Sequence, residues 1–162
     1  MRQFLIVEDD VYLADLLCEV CEDLCDAEAL LSKGKSVEAV LQYERPDLAI
    51  VDAVLEEKLG LDIICQVATR HKVPGVLISG YDEADIWCQQ LGLKHLKKPF
   101  RVQSLVEVTR TILADPEAYV RHVQEICALV EATRCRRELR LRRDQEQQVV
   151  NLLRLRNMSY FA

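Results

Sequence analysis

Three short apolar runs, each halted by a polar or acidic residue, constrain this chain more than any other feature. Phe4-Leu5-Ile6-Val7 runs into Glu8-Asp9-Asp10, Asp47-Leu48-Ala49-Ile50-Val51 runs into Asp52, and Gly75-Val76-Leu77-Ile78 ends on Ser79 and Gly80. An unbroken apolar run of this length suits a strand covered on both faces, not one that shows a face to water. Between the runs the spacing turns helical. Val11, Ala14, Cys18, Cys21 and Cys25 recur at steps of three and four, which predicts a helix over 11–24 with a buried stripe.

The rest of the pattern repeats the alternation. Residues 27–31 predict a second strand, Lys33-Gly34-Lys35 a turn, and Val37, Val40 and Leu41 a helix that Pro46 ends. Helices are expected over 61–70, 82–91 and 101–113, with a short strand around His95-Leu96. Strand followed by helix, five times over, predicts an α/β fold: a doubly wound, five-stranded parallel sheet with helices on both faces. In such a sheet the ligand site lies at the carboxyl ends of the strands. Glu8, Asp9, Asp52, Ser79 and Lys98 stand at those ends.

Beyond Pro116 neither Gly nor Pro occurs. Residues 115–162 therefore predict a helical extension to a domain of residues 1–114, either one long helix or a hairpin broken near Asp144. Charge divides the chain in the same way. Residues 1–114 carry 20 acids and 12 Lys or Arg, a net of −8, whereas 115–162 carry 7 acids and 9 Arg, a net of +2. Six Arg against one Glu in 134–143 raise the possibility of a nucleic-acid patch. The run lacks aromatic residues and a helix-turn-helix pattern, so a solvated helix face is preferred and nucleic acid is not the expected partner. The acidic N-terminus does not read as a secretory signal, and no stretch reaches the ~18 apolar residues of a membrane span. A cytoplasmic setting is expected, with the seven cysteines reduced and Cys18, Cys21 and Cys25 filling core space.

Chemistry at the strand ends narrows the function. Carboxylates at neighbouring strand ends repel one another, and a hard divalent cation such as Mg²⁺ relieves that repulsion through oxygen ligands. An aspartate held there can attack a phosphoryl donor, while an ammonium and a hydroxyl stabilise the phosphoryl oxygens. The same residues could instead cap the following helices, a role that suits Asp10.

The motifs Ile6-Val7-Glu8-Asp9-Asp10, Pro46 to Asp52, Gly60, Val76 to Gly80, and Lys97-Lys98-Pro99-Phe100 together resemble the receiver domain of two-component response regulators. That resemblance implies strand order 2-1-3-4-5. It implies Asp52 as phosphoacceptor, Asp9 and Glu8 with the Val54 carbonyl as the Mg²⁺ site, Ser79 as the phosphoryl-binding switch residue, and Lys98 as the partner of Asp52. It also implies a histidine kinase or phosphotransfer protein as donor, and a signalling protein rather than a conventional enzyme, with self-catalysed phosphotransfer and dephosphorylation only. Output is expected through the helix 4, strand 5 and helix 5 face and the tail, by protein contact or dimerisation, including a coiled coil. His95 departs from the pattern by standing where the family often has a switch Tyr or Phe. Glu56 replaces a frequent proline, and the Gly92–His95 segment is one residue short. Tyr81 and Trp87 are expected at the surface near the site, Tyr81 as a shield against water; His122 is expected to be an ordinary surface residue.

Overall fold

A computed structural model describes residues 1–32, 36–56 and 58–158, with side chains in the last helix through 138 and at 140. The turn expected at Lys33-Gly34-Lys35 lies outside the described residues. Five strands, β1 (Arg2–Val7), β2 (Ala27–Ser32), β3 (Leu48–Asp52), β4 (Gly75–Ser79) and β5 (His95–Lys97), pair in parallel in the order β2-β1-β3-β4-β5. The helices are α1 (Val11–Leu24), α2 (Val37–Leu41), α3 (Gly60–Gln66), α4 (Asp82–Leu91), α5 (Val102–Ala114) and α6 (Pro116–Met158). The fold class is as expected.

The apolar runs are apolar because both faces of the sheet are covered. Phe4, Leu5, Ile6 and Val7 are all fully buried. Alternate residues Phe4, Ile6, Leu48, Ile50, Val76 and Ile78 join Leu17, Cys21, Leu105 and Ile112 of α1 and α5 in one core. The intervening residues point to the opposite face.

Boundaries differ where local backbone bonding overrides periodicity. Helix α2 stops at Leu41, well before Pro46, because Tyr43 and Glu44 donate to the Val40 carbonyl and turn the chain. The α3 segment widens over Val67–His71 into a π-type turn that ends on Lys72 in the left-handed region, φ 61°. Val11 is 60% exposed instead of lying on the buried stripe. The first turn of α1 follows directly from the end of β1, so it overhangs the carboxyl edge of the sheet.

Cys18, Cys21, Cys25, Cys88 and Cys135 are free thiols. Cys65 and Cys127 are disulfide-bonded, contrary to the expectation of reduced thiols, which rested on compartment and an odd count and not on geometry.

The chain divides by its own contacts into two compact units, Met1–Glu125 and Ile126–Ala162, with the division inside α6. Within the first unit, the opening turns of α6 are seated on the amino-terminal pole of the sheet. The Tyr119 hydroxyl accepts from the Lys94 amide at 2.9 Å, His122 Nε2 lies 3.2 Å from the Gly92 carbonyl, and Gln124 Nε2 donates to the Ala68 carbonyl at 2.8 Å. Val120 and Val123 are buried there. Gly92 closes α4 at φ 70°, and a Cβ on it would stand 3.0 Å from His122 Nε2. His122 is exposed, as expected, and its ring also reaches the Gly92 carbonyl. In the second unit α6 continues unbroken past Asp144 to Met158, and residues 131–138 are exposed. Among the described residues no helix is long and apolar enough to cross a membrane.

Candidate functional site

Strand register assembles the site. Val7 pairs with Val51 and Asp52 with Ile78, while Ser79 pairs with Lys97. The next residue of each strand or loop therefore emerges along one carboxyl edge, which puts Glu8, Asp52, Ser79 and Lys98 side by side. The long Lys98 side chain crosses β4 to reach the acids. Its Nζ lies 2.5 Å from Asp52 Oδ2 and 3.2 Å from Glu8 Oε2. Lys98 and Pro99 are joined by a cis peptide bond, and the Lys98 amide donates to the Ser79 carbonyl at 2.7 Å.

The electrostatics follow from this crowding. Burial raises the Glu8 carboxyl above its ordinary pKa, and the neighbouring Asp52 adds to the rise, against the Asp10 amide and the Lys98 ammonium. Burial pulls the Lys98 ammonium down, but Asp52 and then Glu8 outweigh it and leave its pKa raised. Glu8 Oε1 also accepts from the Asp10 amide at 3.0 Å, and Asp10 caps α1 through the Tyr12 and Leu13 amides.

The remaining expected residues are close but otherwise engaged. Asp52 Oδ1 accepts from the Val54 amide at 3.0 Å, and Asp9 Oδ2 from the Glu56 amide at 2.8 Å. Asp9 thereby ties the end of β1 to the loop after β3. The Ser79 hydroxyl accepts from the Tyr81 amide at 3.0 Å and donates to the Tyr81 carbonyl at 3.3 Å. Among the described residues no three His, Cys, Asp or Glu side chains stand as a ready metal cluster. The donor chemistry nevertheless fits a hard cation: the candidate ligands Glu8, Asp9, Asp52 and the Val54 carbonyl all offer oxygen.

Two features take their meaning only from the fold. Gly60 brings α3 hard against β3. A Cβ there would meet the Asp52 carbonyl oxygen at 2.0 Å, and its amide donates to the Ala53 carbonyl at 2.9 Å. The resemblance marked this glycine, but its steric reason needs the fold. The second is Asp85 on α4. Its side chain is 9% exposed, with His95 Nε2 at 3.7 Å and Lys97 Nζ at 3.6 Å. Its helical spacing with the buried Ala84 and Cys88 was the available signal. His95, 16% exposed in its side chain, is turned toward this carboxylate, with Nδ1 3.2 Å from the Leu93 carbonyl. Tyr81 is 58% exposed and Trp87 half-buried, both beside the loop after Asp52.

Comparison with known proteins agrees with this fold. The family described as the response regulator receiver domain matches residues 4–110. The regulatory protein VirG of Rhizobium rhizogenes is 30% identical over 125 residues, covering 75% of this chain and 52% of that protein. The DNA-binding response regulator MtrA of Mycobacterium tuberculosis is 30% identical over 120 residues, covering 70% of this chain and 51% of that one. The chain thus spans about half the length of these relatives. Among solved structures, a CheY-like receiver domain protein from Methanospirillum hungatei superposes with a TM-score of 0.61 at 21% identity, covering 73% of this chain and 98% of that one. The BeF3-activated receiver domain of Klebsiella pneumoniae RstA gives 0.60 at 23%, covering 69% and 98%. With strand order, strand-end residues and family match in agreement, the chain belongs to the response regulator receiver domain family.

Proposed function

We propose that this chain is a phosphorylation-controlled switch in which Asp52 accepts a phosphoryl group from a histidine kinase or phosphotransfer protein. The observation that carries the reading is the Lys98 ammonium bridging Asp52 and Glu8, with the Ser79 hydroxyl on the next strand end. An Asp52 carboxylate oxygen attacks phosphorus, the donor's N–P bond breaks as the O–P bond forms, and the donor imidazole leaves with the electron pair. Lys98 then pairs with the phosphoryl oxygens. Ser79 gives up its bonds to Tyr81 to donate to one of them. Glu8, Asp9, Asp52 and the Val54 carbonyl are the residues that would hold Mg²⁺, which would neutralise charge on those oxygens.

The modification adds about 1.5 to 2 negative charges if it behaves as other phosphoryl groups do. Output then passes through the α4–β5–α5 face, where His95 takes the place of an aromatic switch residue, and through protein contact or dimerisation of the helical tail. This reading sets the chain in the cytoplasm with its donor. Acetyl phosphate with Mg²⁺ should add one phosphoryl mass to the chain. The addition should vanish in Asp52→Asn and on chelation of Mg²⁺. An unchanged mass, or labelling that survives Asp52→Asn, rejects the assignment.

A second reading, nucleic-acid binding through the Arg-rich segment, gains weight from relatives named as DNA-binding response regulators and from the exposed Arg134, Arg136, Arg137 and Arg140 of α6. Duplex binding that weakens steeply with salt and depends on those arginines supports it. Salt-independent or absent binding removes it.

A further inference from the structure

Beside Asp52 the first unit carries an apolar groove of about 530 Å³. One wall is a single face of α4 with the residue before it: Tyr81, Trp87 and Leu91. The other is the loop after β3 and the start of α3: Val54, Leu59 and Leu61. The volume falls within the roughly 300–1,000 Å³ of sites that enclose a ligand or the anchors of a peptide. The walls are built in advance. Val54 and Leu59 form an antiparallel bridge, the Leu55 amide donates to the Lys58 carbonyl at 3.1 Å, and Gly60 pins the loop to β3. Leu59 is 51% exposed in that position, so an apolar surface is held open to solvent at a fixed cost.

Charge around the groove selects the occupant. Among the described residues, segments 52–62 and 81–91 hold six acids, Asp52, Glu56, Asp62, Asp82, Glu83 and Asp85, against one base, Lys58. Glu83 lines the groove itself. Lys97 from β5 answers Asp82 and Asp85, and Lys98 answers Asp52, while Glu56 and Glu83 stay exposed. An apolar slot with acidic banks suits an amphipathic helix whose apolar stripe enters the slot and whose Lys or Arg flanks meet the banks.

We infer that this groove docks a basic amphipathic helix of a partner protein, and that modification of Asp52 tightens the docking. The second half rests on the proposed role of Asp52. The link is direct: the Ser79 hydroxyl is bonded to the backbone of Tyr81, a wall residue, and Ala53 and Val54 follow Asp52 into the groove. A phosphoryl group that draws Ser79 away frees Tyr81 to move against the occupant, and its charge adds to the acidic bank.

Trp87 is the only tryptophan in the chain, so its emission reports occupancy of the groove. The full chain is titrated with a synthetic Leu/Lys amphipathic helical peptide. A peptide with every Leu replaced by Ser, of equal charge, serves as control. The expected result is a saturable change in Trp87 emission with the first peptide only. Leu59→Asn and, independently, Glu83→Lys should weaken it about tenfold, a loss of roughly 1.4 kcal/mol. Beryllofluoride with Mg²⁺ should tighten it at least about fivefold, the low end of coupling between sites. Docking is rejected by an absent emission change, by equal binding of the Ser control, or by indifference to both variants. Coupling is rejected if the mass of acetyl phosphate-treated chain shows Asp52 modified while affinity stays the same. A chain that binds the peptide but shows no mass change at Asp52 retains the groove and overturns the phosphoacceptor reading.

Discussion

At the residue scale, Gly60 shows how a single hydrogen atom conditions the site. Any side chain at 60 would collide with the carbonyl of Asp52 itself, a backbone atom that cannot swing aside. Gly60→Ala should cost about 1–3 kcal/mol or more in urea unfolding, the range for forced overpacking, and should slow phosphorylation of Asp52 as well. A variant as stable as the parent would mean that α3 can lift off β3 freely. The acids and Ser79 were legible in the sequence because each sits at a strand end that an apolar run announces, whereas Lys98 and Gly60, after a three-residue strand and at the start of α3, were marked only by the family motifs. Asp85 was not legible. Its burial depends on which face of α4 meets β5, and three acids in one helical turn read as solvated until that face is known. His95 was recognised as a substitution, but not as a group directed at Asp85, because a contact between strand and helix leaves no trace in linear spacing.

At the element scale, strands were easier to place than helix ends. β4 and α4 lie where periodicity put them, since Pro74, Gly80 and Gly92 punctuate them. Helix α2 ended early because its termination is a backbone bonding choice at Val40, with no punctuating residue until Pro46. The start of α6 makes a sharper test. Burial pushes the Tyr119 phenol up to about 12, so the fold favours the neutral hydroxyl. The stability this contributes is complete below the ordinary tyrosine value of about 10 and is lost as pH rises from there through about 12. Tyr119→Phe should cost about 0.5–1.5 kcal/mol at neutral pH, for the bond to the Lys94 amide. Between pH 10 and 12 it should lose stability less steeply than the parent, as followed by denaturant midpoints. Cys21 and Cys88, also pushed by burial to about 12, lose their shares in both proteins and cancel from the difference. Parallel curves would show that Tyr119 is solvated.

At the scale of the whole molecule, the first compact unit reaches Glu125. A chain cut after Ala114 loses the buried Val120 and Val123 and three polar bonds to the amino pole. Such a chain should be less stable than one cut after Glu125 by roughly 2–4 kcal/mol, once the entropy of ordering the helix is set against the buried area. Equal melting of the two fragments would make the α6 root dispensable. The boundary was hidden from the sequence because helix periodicity runs through it without interruption and only packing marks it. Anchoring at that pole also decides how traffic is arranged. On the proposed reading, phosphate donor, cation and visiting helix all come to the acidic rim, while the opening turns of α6, within the first unit, hold the other end of the strands. The opening turns of α6 therefore never compete for the berth beside Asp52, and visitors can come and go without uprooting them.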